Sequence, residues 1–266
     1  MKTANRFSTS VALALSLFFP LLAPAQWNKK PYSEWSEKET QKLLDDSPWS
    51  QKQTFTDTSK NASTTTNRIG QSTTAIAEVI NVSFHLRFFT AKPVRQAISR
   101  AIELQQKGKV PEQLAAKLKA LASAEFPDYI IITATCESDR ASNMLQQATQ
   151  LMNVLTTADL KNNTYLLTKD GQRVFLQEYQ APRNDGFGAR FVFPRLVDGK
   201  PFVTPEGGEL LFHSEFGGRS TLSGTIPNSG IPNRDVSGLS TSTPYGFTLN
   251  TRYKIKDMMF DGKLEY

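Results

Sequence analysis

The chain has 266 residues, 39% of them hydrophobic, with a single cysteine and a formal charge of +6. That length suits one or two domains with a buried core. One cysteine excludes an internal disulfide framework, and the charge is too modest and too scattered for a nucleic-acid binder.

The amino terminus reads as an export signal spanning residues 1–25. Lys2 and Arg6 precede an apolar run from Val11 to Leu22, and Ala23-Pro24-Ala25 offers the small residues that a signal peptidase reads. Cleavage after Ala25 is expected, which makes the mature protein secreted or periplasmic. The run is shorter than the roughly 20 apolar residues that a membrane span needs, and no later stretch is long enough to cross. No cysteine adjoins the cleavage site, so a lipid anchor is not expected. Losing Lys2 and Arg6 lowers the side-chain charge from +6 to +4, a mild bias toward anionic surfaces.

Residues 26–50 form a tryptophan-rich element holding all three tryptophans, Trp27, Trp35 and Trp49. Ser36 followed by Glu39 has the capping-box form, which predicts a helix from about Glu37 to Asp45, stopped by Ser47-Pro48. Trp35, Leu43, Leu44 and Trp49 give this element more apolar surface than one helix can hide. It either docks on the main domain or presents Trp35 and Trp49 as an aromatic anchor for a partner. Residues 51–74 are dominated by Thr, Ser, Asn, Lys and Gln, too polar to offset their ordering entropy. They read as a flexible linker with a short strand near Phe55.

Residues 75–266 read as the folded domain, organised around Ala77 to Cys136. Ile80, Val82, Phe84, Leu86 and Phe88 alternate with Asn81, Ser83, His85 and Arg87, the pattern of a half-buried strand. Helical spacing follows at Val94, Ala97, Ile98, Ala101 and Ile102, with Gly108 as a stop. Pro111 opens a second helix carrying Leu114, Leu118 and Leu121. Tyr129 to Thr135 reads as a buried strand. Asp139 can cap a third helix whose stripe is Met144, Leu145, Ala148, Leu151, Met152 and Leu155.

Beyond Leu160 the pattern turns to β. Two strands, Tyr165–Lys169 and Gln172–Leu176, flank Asp170-Gly171, which reads as a two-residue hairpin turn. Gly188–Pro194 and Glu209–Phe216 read as strands. Gly217 to Gly246 is a long Gly/Ser/Thr/Pro-rich loop. Phe247, Leu249, Thr251, Tyr253 and Ile255 alternate in a final long strand, and Asp261-Gly262 turns it into a short closing one. The expectation is an α+β fold. A helix-rich first half packs on a mostly antiparallel sheet, behind a flexible N-terminal extension.

Trp35 with Ser47-Pro48-Trp49 at one end, Lys256-Asp257-Met258 with Gly262-Lys263-Leu264-Glu265 at the other, and Phe193-Pro194-Arg195 between them carry a resemblance. On these motifs the chain resembles a loose set of exported bacterial proteins of unknown function. The resemblance covers most of the mature chain and implies no activity or catalytic residue.

The residues themselves assign no catalytic, cofactor or metal site. His85 shares a strand face with Arg87, and His213 shares one with Glu215, but no His or Cys spacing of a metal site joins them. Cys136 ends an apolar strand and reads as a buried, inert thiol. Gly-x-Ser-x-Gly is absent, and no spacing singles out a carboxylate pair. Arg252, Lys254 and Lys256 alternate along the last strand, either as an anion-binding stripe or as charges guarding a sheet edge. The candidate interaction surface is therefore Trp35, Trp49, His85, Arg87, Arg252, Lys254 and Lys256. The function expected is non-enzymatic binding of a macromolecular partner in the envelope, without cofactor or nucleic acid. The competing expectation is an exported hydrolase acting on an envelope polymer.

Overall fold

A computed structural model describes residues 29–57, 64–66, 72–74, 79–107, 109–216 and 246–266. The signal segment, much of the expected linker, the Gly108 stop and nearly all of the Gly217–Gly246 loop lie outside the described residues.

The capping box forms as its sequence predicts. The Ser36 hydroxyl accepts from the Glu39 N–H at 3.3 Å, the Glu39 carboxylate accepts from the Ser36 N–H at 2.8 Å, and α1 spans Glu37–Asp45. The next element is the strand expected near Phe55, and it is longer than expected: β1 spans Ser50–Asp57, takes up the start of the expected linker, and is paired along its length with β4 (Ile80–Phe88). A polar segment becomes ordered here because β4 offers it a complete ladder of backbone partners, and Thr54 and Thr56 find Ser83 and Asn81 across the strand. Between them β2 (Thr64–Thr66) and β3 (Ser72–Thr74) pair antiparallel.

The central unit follows its apolar spacing: α2 Lys92–Gln105, α3 Glu112–Ser123 and β5 Tyr129–Ser138. The helix after it, α4 (Asn143–Val154), is capped by Ser142 and not by Asp139, because the Ser142 hydroxyl accepts from the Leu145 N–H at 3.0 Å. Met144, Ala148, Leu151 and Met152 are buried as that stripe requires. A short α5 (Thr157–Leu160) leads into β6 (Thr164–Thr168), β7 (Arg173–Phe175), β8 (Glu178–Gln180), β9 (Ala189–Pro194), β10 (Leu196–Val197), β11 (Lys200–Pro201), β12 (Glu209–Phe216) and β13 (Phe247–Lys254). The chain closes with β14 (Met259–Phe260) and β15 (Lys263–Leu264), joined through Asp261 and Gly262 at φ +50° and +73°. Two consecutive positive φ values are what a two-residue hairpin turn demands.

The fold is α+β, and every strand pair among the described residues is antiparallel. A five-stranded sheet has the order β1-β4-β5-β9-β8, and a four-stranded sheet the order β13-β12-β6-β7. The α-helices lie between Glu37 and Leu160 among the described residues, so the first half is helix-rich as expected, while the five-stranded sheet draws strands from both halves of the chain. The two sheets meet through aromatic side chains. Phe88 meets Tyr253 at 4.7 Å between ring centroids, Phe84 meets Phe247 at 5.2 Å, and Phe191 meets Phe212 at 5.3 Å. On the helical side α2 packs against both α1 and α3, and α4 lies on β5. No helix among the described residues is long and apolar enough to cross a membrane.

Trp35 and Trp49 are each 1% exposed and belong to this core. They are not an exposed anchor. Trp49 donates its indole N–H to the Glu265 carbonyl at 2.7 Å, which ties the N-terminal element to the last residues of the chain. An indole buries its large apolar area most favourably when its one donor is satisfied inside.

Candidate functional site: a charged cleft between two hairpins

The expected surface residues do not come together. His85 and Arg87 sit on β4 in the five-stranded sheet, whereas Arg252 and Lys254 sit on β13 in the other. Lys256 is not on the strand, because β13 ends at Lys254 and the chain turns into a 3₁₀ segment, Ile255–Asp257. Arg252 and Lys254 are exposed, as expected, and Arg252 lies 3.5 Å from Glu209 on β12. Charges on an outer strand of this kind discourage edge pairing.

The polar face of β4 was expected to be open to solvent, and it is covered. His85 is 5% exposed. Its Nε2 lies 2.8 Å from Glu137 on β5, and its Nδ1 lies 3.3 Å from Asp45 at the end of α1. Arg87 donates to the Leu44 carbonyl at 2.6 Å, to Thr135 at 3.0 Å and to Asp45 at 3.2 Å. Burial lowers the Arg87 pKa, and the Asp45 carboxylate opposes that shift. The Glu137 carboxyl is held below its ordinary value, chiefly by its hydrogen bond to His85 and further by Lys52. This cluster fastens the last turn of α1 to the sheet and is structural. A strand whose polar residues find partners on neighbouring elements is covered on both faces even though its sequence alternates.

His213 stands on the other sheet, stacked on Tyr165 at 4.6 Å and 2.7 Å from Asn250. Cys136 lies 3.5 Å from the Thr149 hydroxyl, and burial raises its thiol pKa, as suits an unreactive sulfur.

The structure builds a different site. A cleft of about 1180 Å³ opens between the β6–β7 turn and the segment from β10 to the entry of β12. The first wall is shaped by its turn. The Thr168 N–H bonds the Gln172 carbonyl and the Gly171 N–H bonds the Thr168 carbonyl. Only Gly171 takes a positive φ, +91°. The expected two-residue turn is therefore a three-residue loop closing on a glycine bulge. It places Lys169 and Arg173 on the cleft, with the Arg173 guanidinium 4.7 Å over the Tyr165 ring.

The second wall rests on a two-residue turn between β10 and β11. Asp198 and Gly199 take φ values of +51° and +74°. This turn and the chain after it bring Asp198, Lys200 and Glu206 to the cleft. Phe202 and Val203 are buried beneath. The two walls meet at Gly208, where a Cβ would stand 3.1 Å from the Lys169 side chain and where φ is +74°. A residue without Cβ leaves the lysine stem its place and accepts the left-handed backbone at no cost.

None of these wall residues was singled out from the sequence. One signal was present: Leu196-Val197, Asp198-Gly199 and Lys200-Pro201 repeat the Asp-Gly hairpin pattern of residues 170–171 and 261–262. That hairpin gave no hint of the wall opposite, because 23 or more positions separate it from Lys169 and Arg173.

No family model, curated protein or solved structure matches the chain. The cleft is accordingly read from its own chemistry. Among the described residues Lys169, Arg173, Lys200, Asp198 and Glu206 form no ion pair with one another or with any other side chain. Other surface charges do pair, such as Lys30 with Glu39 at 2.8 Å and Arg190 with Asp185. Unpaired charges of both signs around an apolar floor can hold a ligand by contact and by field.

Proposed function

We propose that the protein is exported, cleaved after Ala25, and acts in the periplasm or outside the cell as a binding protein for an envelope macromolecule. The observation that carries this reading is the cleft, whose unpaired charges stand over buried apolar side chains. Affinity capture from an envelope extract tests it, with the native protein beside a Lys200→Glu/Glu206→Lys variant. The expected result is a partner retained by the native protein and lost by the variant. Equal capture by both, or by neither, overturns the reading. Export is tested separately, by amino-terminal sequencing of fractionated cells. The mature chain should begin at Gln26, and full-length protein in the cytoplasm contradicts export.

A second reading, an exported hydrolase acting on an envelope polymer, draws on the three carboxylates that line the same cleft, Asp170, Asp198 and Glu206. Release of soluble fragments from purified envelope polymer, abolished by Asp198→Asn or Glu206→Gln, would favour it over binding alone.

A further inference from the structure

We propose that the cleft takes a dipolar ligand, a short peptide stretch whose free carboxylate faces the β6–β7 turn and whose free amine faces the β10–β11 hairpin. This rests on the reading of the protein as a binding protein and names the chemistry of what its cleft holds.

The charges are divided between the walls. Lys169 and Arg173 stand on the first, where the one acid, Asp170, takes the Thr168 hydroxyl and turns back into its own loop. Asp198 and Glu206 outnumber Lys200 on the second. The walls do not neutralise each other, since no ion pair joins them among the described residues. The space between therefore carries a field directed from the first wall to the second. A purely anionic ligand gains at the first wall and loses at the second, and a purely cationic one does the reverse. A ligand with both charges gains at both.

The size and floor point to a peptide rather than a free amino acid. The volume of about 1180 Å³ exceeds the roughly 300–1,000 Å³ of small-molecule sites. Val197 and Pro201 at the rim, above Phe202 and Val203, offer side chains an apolar shelf. The acidic wall is pre-shaped, because the Asp198-Gly199 turn fixes its hairpin before any ligand arrives.

Such a stretch can be a soluble peptide with both termini free, or a peptide branch of an envelope polymer in which a side-chain amine or carboxylate replaces the terminus spent on the linkage. Isothermal titration of the full chain with Leu-Ala oligomers of about two to five residues tests the chemistry. Each oligomer is used free, N-acetylated, C-amidated and doubly blocked. The expected result is at least one length whose free form binds about tenfold or more tighter than either singly blocked form, one ion pair's worth at each end. Lys169→Ala/Arg173→Ala should erase the difference between free and amidated peptide. Asp198→Asn/Glu206→Gln should erase the difference between free and acetylated peptide. Co-sedimentation with insoluble envelope polymer, displaced by excess free peptide, assigns the polymer-borne source, and titration binding without sedimentation assigns the soluble one. Equal affinity of all four forms overturns the dipolar assignment while the captured partner still upholds the binding role. Best binding by the acetylated form overturns it in favour of an anion site, and absence of binding by every peptide overturns it outright.

Discussion

Gln53 and Asn250 join the two sheets by a side chain acting as a strand. The Gln53 Oε1 accepts from the Asn250 N–H at 2.7 Å, while its Nε2 donates to the Thr248 carbonyl at 2.8 Å. The amide thus presents to β13 one acceptor and one donor, as the backbone of a neighbouring strand would. It satisfies main-chain groups on an outer strand that has β12 on its other side.

Replacing Gln53 by Leu keeps much of the volume and removes both bonds. Each is worth about 0.5–1.5 kcal/mol net, so a loss of about 1–3 kcal/mol is expected in urea unfolding. Gln53→Glu retains the acceptor and loses the donor, and should fall between the native protein and the leucine variant. A leucine variant as stable as the native protein would show that water serves these groups equally well.

Arg95 is a buried cation held by carbonyls. It is 3% exposed, and its guanidinium donates to the carbonyls of Phe89, Thr90, Leu121 and Ala124. It therefore ties the end of α3 to the turn after β4. Arg95→Met should cost about 3–5 kcal/mol, because several buried acceptors lose their donors together. Arg95→Lys should rescue little, since an ammonium lacks the planar fork that spans these carbonyls. Full rescue by lysine in a thermal melt would reduce the role to charge alone.

Phe84 and Arg87 compare the two faces of β4. Phe84 is fully buried, and Phe84→Ala should cost about 3–5 kcal/mol. Arg87→Ala strips the Asp45 carboxylate and the Leu44 carbonyl of their donor. Because Asp45 retains some solvent contact, about 2–3 kcal/mol is expected, well above the half kcal/mol or so of an open surface site. The loss should appear together with a shift in tryptophan emission, since α1 lies between Trp35 and Trp49. An unchanged melt would mean that the polar face is open after all.

Glu39 sets a pH dependence. Its carboxyl is lowered from 4.5 to about 2, chiefly by the Lys30 hydrogen bond and further by the Ser36 N–H and hydroxyl. A folded-state pKa below the unfolded one adds stability above the unfolded value and loses it as pH falls through the folded one. The contribution should therefore be whole above about 4.5 and vanish toward about 2. Glu39→Gln should lose a small, surface-screened part of stability above about 4.5, match the native protein toward about 2, and so flatten the acid limb of a stability-against-pH series across that window. Parallel acid limbs for the two proteins would remove the capping box from the account of acid unfolding.

Much of the secondary structure is legible in the sequence because its causes are local. The Ser36–Glu39 box, the stripe from Met144 to Leu155, the alternation from Phe247 to Tyr253 and the turn at Asp261-Gly262 each depend on residues within one or two turns of helix or strand. The tertiary structure decided what those elements meet. The sequence places only a short strand near Phe55 in a polar linker that starts at Gln51, and the strand runs over all of Ser50–Asp57 because β4, some 30 positions on, supplies its ladder. His85 and Arg87 alternate with apolar residues as an exposed face would, yet α1 brings Asp45 over them. Trp35 and Trp49 are core because the last residues of the chain fold back on Trp49. The cleft was the least visible of all, since its walls come from separate hairpins and its charges are ordinary surface residues when each is read alone. Periodicity and capping are properties of neighbours along the chain, whereas burial, pairing and a site are properties of neighbours in space.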